Sequence, residues 1–255
     1  MAEPTSEEIT AIQKFREQVS DLLDNEEKRD NSYLIRWLRA RDLNFHKAEE
    51  LLRHSLNWRA ENDIDNVLER KFDEFHFNNF PYTADGYDKT GRPVATISYA
   101  NGKWDFRKVD EPDRAEGFKA YTAYIFEDIV NKIRMQNSKR KMTGEPLVRQ
   151  YILLVDYTGF TYSQLINFAA VSKLLSFATT YEAHYPELLY KCIFINCPVF
   201  IGTLMSLIKP LLASKTFQKI EYYGYNREEW ENVLYEMIEE DQLPPEFGGI
   251  EITHL

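Results

Sequence analysis

The chain has 255 residues, 44% hydrophobic and 28% charged, a length that supports a sizeable buried core and a composition that excludes disorder over most of it. Against 41 acidic side chains stand 31 basic ones, for a formal charge of -10, so its bulk field repels nucleic acid, and an anionic bilayer is met only through a local basic patch. No apolar run reaches the roughly eighteen residues of a membrane span, and the start MAEPTSEEIT lacks a cationic and apolar leader, which together predict a cytoplasmic protein.

Thr5 and Glu8 have capping-box spacing, and Ile9, Ile12, Phe15, Val19 and Leu22 follow at helical intervals, which predicts a first helix from near Ser6. Leu34, Trp37, Leu38 and Arg41 repeat at i, i+3, i+4 and i+7. Asn44 then caps a further helix marked by Ala48, Leu51, Leu52, Ser55 and Leu56. The stretch 5–75 is therefore read as helical. The character changes near Asn78, which divides the chain into a helical lobe over 1–77 and a second lobe over 78–255.

In that second lobe, GYDKTGRP has the glycine separation of a phosphate loop, but Arg92-Pro93 replaces the required Lys-Ser/Thr, so it reads as a tight turn. Val94 to Tyr99 alternates like a strand, and Phe118, Tyr121, Ile125, Ile129 and Ile133 trace a helix. The basic KIRMQNSKRKMTGEP, with Lys132, Arg134, Lys139, Arg140 and Lys141, is expected to loop out, either solvated or against anionic lipid. YILLVD reads as a buried strand, Ser163 to Tyr181 as a long apolar helix and KCIFIN as another strand, before a strand at Ile220 to Tyr223 and a helix at Asn226 to Ile238. Continuous apolar strands separated by crossover helices predict an α/β fold with a mostly parallel sheet.

Catalytic signatures are missing: no G-x-S-x-G, H-E-x-x-H or G-x-G-x-x-G occurs, and the five histidines are scattered singly. Asp156 at the end of its strand suits either a general base or, preferably, a turn and helix entry; with His184 it is the only candidate for lipid hydrolysis. Cys192 and Cys197, five apart, lack zinc-site spacing and read as buried thiols.

In CPVFIGTLMSLIKPLLASKTFQKI, Val199, Phe200, Leu204, Ile208 and Leu211 form one apolar stripe, which Ile201, Met205 and Leu212 extend around the cylinder. At about twelve residues, or roughly 18 Å, this helix is too short for a bilayer core of about 30 Å, so it is buried, interfacial, or both in turn.

The motifs YLIRWLRARDLNFHKAEELL, DKTGRPV, LLVDYTGF, HYPELLYKCIFINCPVF, IKPLLASKT and LPPEFGG, in this order, give the chain a resemblance to the CRAL-TRIO (Sec14-like) lipid-binding proteins over nearly its whole length. The resemblance implies one hydrophobic ligand between the sheet and a mobile gate helix, here Val199 to Leu212, with Phe200, Leu204, Ile208, Leu211, Tyr124, Phe168, Val171 and Leu175 lining gate and cavity. Arg41, Glu187, Thr216 and Lys219 match the positions that hold an inositol phosphate in phosphatidylinositol-binding members. Asp42 stands where fungal members carry a second cation, and Leu188 where they carry arginine. Thr161 and Ser163 match the hydroxyl pair of the phosphatidylcholine mode, whereas Ala95 replaces its choline-binding aromatic.

The implied function is transfer of a phosphatidylinositol- or phosphatidylcholine-type lipid, or carriage of a neutral isoprenoid such as a tocopherol, retinoid or squalene. Neither an enzyme nor a cofactor is implied: the partners are the lipid and, transiently, a membrane surface, the protein is a monomer, and nucleic acid is not a partner. Many animal members continue past the FGG turn into a β-rich GOLD domain, so the sequence reads either as a short form or as one cut before such a domain.

Overall fold

A computed structural model describes residues 3–250, so His254 lies outside the described residues. Helices α1 (Ser6–Gln18), α2 (Glu26–Arg29), α3 (Asn31–Ala40) and α4 (Phe45–Glu61) form the first lobe. The expected capping box starts α1, with Thr5 N donating to Glu8 Oε2 at 2.8 Å and Glu8 N to Thr5 Oγ1 at 3.2 Å. The apolar face predicted from periodicity closes this lobe's own core, in which Ile12, Phe15, Leu34, Leu38 and Leu52 are buried. Arg39 grips Glu8 through two nitrogens at 2.6 and 2.8 Å, and that hydrogen bonding holds the Glu8 carboxyl at about 2.

A 3-10 segment (Ile64–Glu69) and α5 (Glu74–Asn79) lead into a five-stranded sheet: β1 (Tyr82–Tyr87), β2 (Pro93–Ser98), β3 (Tyr151–Asp156), β4 (Leu189–Ile195) and β5 (Ile220–Tyr222), hydrogen-bonded in that order. Only β1 runs antiparallel to its neighbour, so the sheet is mostly parallel as expected. Helices α6 (Pro112–Thr143), α7 (Tyr162–Leu165), α8 (Phe168–His184), α9 (Ile201–Ile208) and α10 (Ser214–Phe217) fill the crossovers, and α11 (Arg227–Met237) follows β5. Strand side chains alternate between faces. Ile152, Leu154, Ile193 and Ile195 pack toward Trp230 and Leu234 of α11, while Val155, Cys192 and Phe194 belong to the larger core with α6, α8 and α9.

Three expected elements change. The basic segment does not loop out: α6 carries it to Thr143, because its Lys, Arg, Gln and Met are good helix formers and Gly144, at φ +73°, supplies the left-handed C-cap. Arg140 on its last turns donates to the carbonyls of Pro146 at 2.7 Å and Thr90 at 2.5 Å. The DKTG turn meets that guanidinium so closely that a Cβ on Gly91, at φ +85°, would lie 2.0 Å from Arg140 Nη2. The apolar helix expected over 163–181 is two helices, since the Asn167 side chain accepts from Ala170 N at 2.9 Å and caps a new start. The gate helix, expected over Val199 to Leu212, spans only Ile201–Ile208, and Lys209-Pro210 ends it in a 3-10 turn over Lys209–Leu211, as a proline with no N–H to give dictates.

GYDKTGRP is the tight turn its sequence suggests: Asp88 Oδ1 accepts from Thr90 N at 2.9 Å and Arg92 N at 2.8 Å. Asp156 likewise serves a turn, accepting from Thr158 N at 3.0 Å, Asn196 Nδ2 at 2.8 Å and Ser98 Oγ at 2.9 Å. Cys192 and Cys197 are buried and free, and burial pushes the Cys197 thiol up to about 12. Among the described residues no helix is long and apolar enough to cross a membrane.

Candidate functional site

Between the sheet and α8, α9 and the turn after it lies an apolar chamber of about 120 Å³. Alternation on β3 and β4 points Leu153, Val155, Cys192 and Phe194 into it, α8 adds Leu174, Phe177, Ala178 and Tyr181, and the gate adds Ile208 and Leu212. One water-sized group needs roughly 10–15 Å³ of such volume, so the chamber takes roughly ten of them.

The gate divides by depth. Ile201, Leu204, Met205 and Ile208 are buried in the core, and Leu204 is 0% exposed. Phe200 sits half-buried at the rim against Phe160 and Tyr162, with ring centroids 5.9 and 5.5 Å away. Val199, expected to line the gate, is instead 101% exposed, and Leu211 yields the lining position to Leu212. On α8 the lining is Leu174, Phe177, Ala178 and Tyr181 rather than Phe168, Val171 and Leu175. Phe168 is 88% exposed, and the other two pack half-buried beside the core. With only Lys173 and Glu182 charged among its small and apolar residues, α8 gives its periodicity little phase, and its wetted side differs from the expected one. Tyr124 is also displaced: it stacks among Phe72, Phe77 and Tyr121 on the outer side of α6.

Thr161 and Ser163 do not reach the chamber. They hydrogen-bond each other at 2.9 Å and engage Gln164 and Arg107 at 3.2 and 3.1 Å, at the start of α7.

Arg41, Glu187, Thr216 and Lys219 do come together, in a polar cluster at the end of the chamber, where Thr216 is buried and contributes to the lining. Glu187 takes a left-handed φ of +63° and lies 3.5 Å from Lys219 Nζ and 3.7 Å from Lys215 Nζ. Lys215 also bonds Asp42 Oδ1 at 3.2 Å and the Arg39 carbonyl, so the helical lobe closes one side of the cluster. Arg41 Nη1 stands 4.0 Å from Glu182 Oε1.

Two atoms in the cluster are buried without a hydrogen-bond partner among the described residues: Lys219 Nζ and Glu182 Oε2. Burial raises the Glu182 carboxyl above the usual range, countered in part by the Thr216 hydroxyl and the Ala213 amide. Sequence reasoning missed Glu182, and its one signal is weak: a lone acid near the end of an otherwise apolar helix.

His184 lies elsewhere, at the seam between the lobes. Its ring stacks on Trp58 at 3.8 Å and His54 at 5.4 Å, and Nδ1 is 3.3 Å from Ser55 Oγ. Desolvation there lowers it to about 4.

The family model described as the CRAL/TRIO domain matches residues 77–249. Among curated proteins, the chain is 28% identical over 225 residues to CRAL-TRIO domain-containing protein T23G5.2 of Caenorhabditis elegans, covering 88% of this chain and 30% of that protein. It is 28% identical over 222 residues to Protein real-time of Anopheles gambiae, covering 86% and 31%. The chain thus spans less than a third of the length of these relatives. Among solved structures, the crystal structure of Sfh5 superposes with a TM-score of 0.64 at 16% identity, over 87% of this chain and 82% of that one.

Proposed function

The chain belongs to the CRAL-TRIO domain family, and on that footing we propose that it holds one lipid beneath α9 and exchanges or presents it at membrane surfaces, with a phosphatidylinositol- or phosphatidylcholine-type phospholipid as cargo. The observation that carries this reading is a pair of buried atoms at the chamber's end without hydrogen-bond partners among the described residues, Lys219 Nζ meeting only the Glu187 carboxylate at 3.5 Å. Lys219 Nζ is a donor suited to a phosphate oxygen, and Glu182 Oε2 an acceptor suited to a ring hydroxyl. Thr216 donates between them, Arg41 adds charge, and Glu187 gives up its lysines as the phosphate arrives.

An acyl chain of about sixteen carbons, at ~0.8 kcal/mol per methylene, gains roughly 12 kcal/mol on burial, so exchange proceeds on a membrane rather than through water. The chamber takes about ten small groups against about sixteen carbons in such a chain, so a whole tail needs it to widen, which a lifting of α9 supplies. The exposed apolar rim of Tyr162, Ile166, Phe168 and Val199 supplies the docking contact that opens it. No bond is broken in this cycle, and a cytoplasmic monomer suffices for it.

The test is transfer between vesicles. Wild type moves phosphatidylinositol, Lys219→Ala lowers that rate at least tenfold, and phosphatidylcholine transfer falls less. A protein that moves neither lipid excludes the phospholipid reading. The neutral isoprenoid reading is favoured by one feature of the cluster, that Glu187 and Glu182 already face its cations. Under it, mass spectrometry of the retained lipid finds an isoprenoid, and Lys219→Ala changes nothing.

A further inference from the structure

A second polar site lies outside the chamber, in the cleft between the helical lobe and α6. Two connected hollows of about 470 and 410 Å³ meet there, sharing Glu27, Tyr33, Arg36, Val130 and Arg134, and neither has a residue in common with the chamber lining. Tyr33, Arg36 and Trp37 stand at i, i+3 and i+4 on α3, hence on one face. The Arg36 guanidinium carbon lies 5.8 Å from each of the two ring centroids.

The cleft is short of acceptors where its donors converge. Trp37 is 2% exposed, lines the cleft, and its indole N–H has no hydrogen-bond partner; the Tyr33 hydroxyl is near enough to interact with it but not in hydrogen-bond geometry. Arg36 spends Nε on the Pro186 carbonyl at 3.1 Å, and no carboxylate comes within ion-pairing distance of its remaining nitrogens among the described residues. The acids that line the cleft have other duties: Glu27 binds Arg134 at 2.8 Å, Glu127 binds Arg59 at 2.6 Å and Tyr185 at 2.9 Å, Asp65 binds Arg59 at 2.6 Å, and Asp30 caps α3 through Ser32 N at 2.7 Å. Glu26 is exposed at the mouth. A half-buried guanidinium that faces an open hollow beside a buried, unmet N–H offers convergent donors that an acceptor entering the hollow would complete.

We infer that this cleft is a binding site for a phosphate-bearing anion, held by the free Arg36 nitrogens and the Trp37 indole N–H, with Arg134 at its edge. A planar guanidinium with two free nitrogens suits phosphate oxygens, and the indole supplies a third, neutral donor. Because Arg36 also holds the Pro186 carbonyl, next to Glu187, an occupant here would steady the segment that carries the chamber's polar cluster.

The probe is inorganic phosphate, followed by the indole N–H resonances in a proton–nitrogen correlation spectrum, with Trp37→Phe identifying the peak. The expected result is a saturable downfield shift of that peak, absent with chloride at matched ionic strength and weakened at least tenfold in Arg36→Gln. Phosphatidylcholine vesicles carrying a phosphatidylinositol monophosphate form a second arm: a shift with these alone assigns the anion to a lipid headgroup, and a shift with phosphate to a free ligand. If the wild-type peak moves with neither probe, or moves equally in Arg36→Gln, the site does not exist as described. The wild-type titration decides this even if a variant fails to fold.

Discussion

Glu187 stands between Lys215 and Lys219, and on the proposed function its charge would set which cargo can enter. Glu187→Gln leaves Lys215 and Lys219 facing the chamber's end with less opposition. Extraction from cells followed by mass spectrometry should then find acidic lipids enriched severalfold over wild type. His184 makes a pH prediction at the same scale. Its folded value of about 4 lies below the ordinary 6.5, so the unfolded chain binds the proton more readily. Stability from this residue is therefore complete above pH 6.5 and is lost as pH falls toward 4. The loss amounts to on the order of 1–2 kcal/mol once solvent screening at the seam is allowed for. Urea midpoints measured across that window should fall in wild type and flatten in His184→Phe. That Arg41, Glu187, Thr216 and Lys219 belong together was legible in the sequence because ordered motifs carried them. Glu182 was not, since its partners Arg41 and Thr216 come from distant parts of the chain and meet it only in the fold.

The elements were legible where periodicity had contrast. The amphipathic α3 announces which side is buried, whereas β3 is apolar and buried on both faces, so only the fold shows that its odd-numbered Leu153 and Val155 line the chamber. Where contrast vanishes the reading slips, as on α8, whose apolar surface hid both its true start at Asn167 and its wetted side. The same reasoning separates two roles within the gate region. Val199→Asp changes a fully exposed side chain, so the thermal midpoint should stay within a degree or two while cosedimentation with vesicles drops severalfold. Leu204→Ala removes a fully buried core side chain, so it should cost about 2–5 kcal/mol in chemical denaturation.

The two lobes have separate apolar cores, and polar contacts help to join them. Chief among these is Glu127, which is buried and shared by Arg59 of the helical lobe and Tyr185 beside the chamber. Arg59→Ala leaves that carboxylate without its closest cation and is expected to cost about 3 kcal/mol in equilibrium unfolding, with the helical lobe melting first. No local pattern discloses this joint, because its members are 68 and 58 positions apart in sequence.

The greasy rim around Val199 and Phe168 also bears on how copies of the protein treat one another. Apolar faces of that kind adhere, and what holds identical molecules apart is the surplus of negative charge they all carry, -10 on each. Added salt shortens the reach of that repulsion. Concentrated solutions should accordingly stay clear at low ionic strength, scatter light as sodium chloride rises, and clear again when a mild detergent coats the sticky edge.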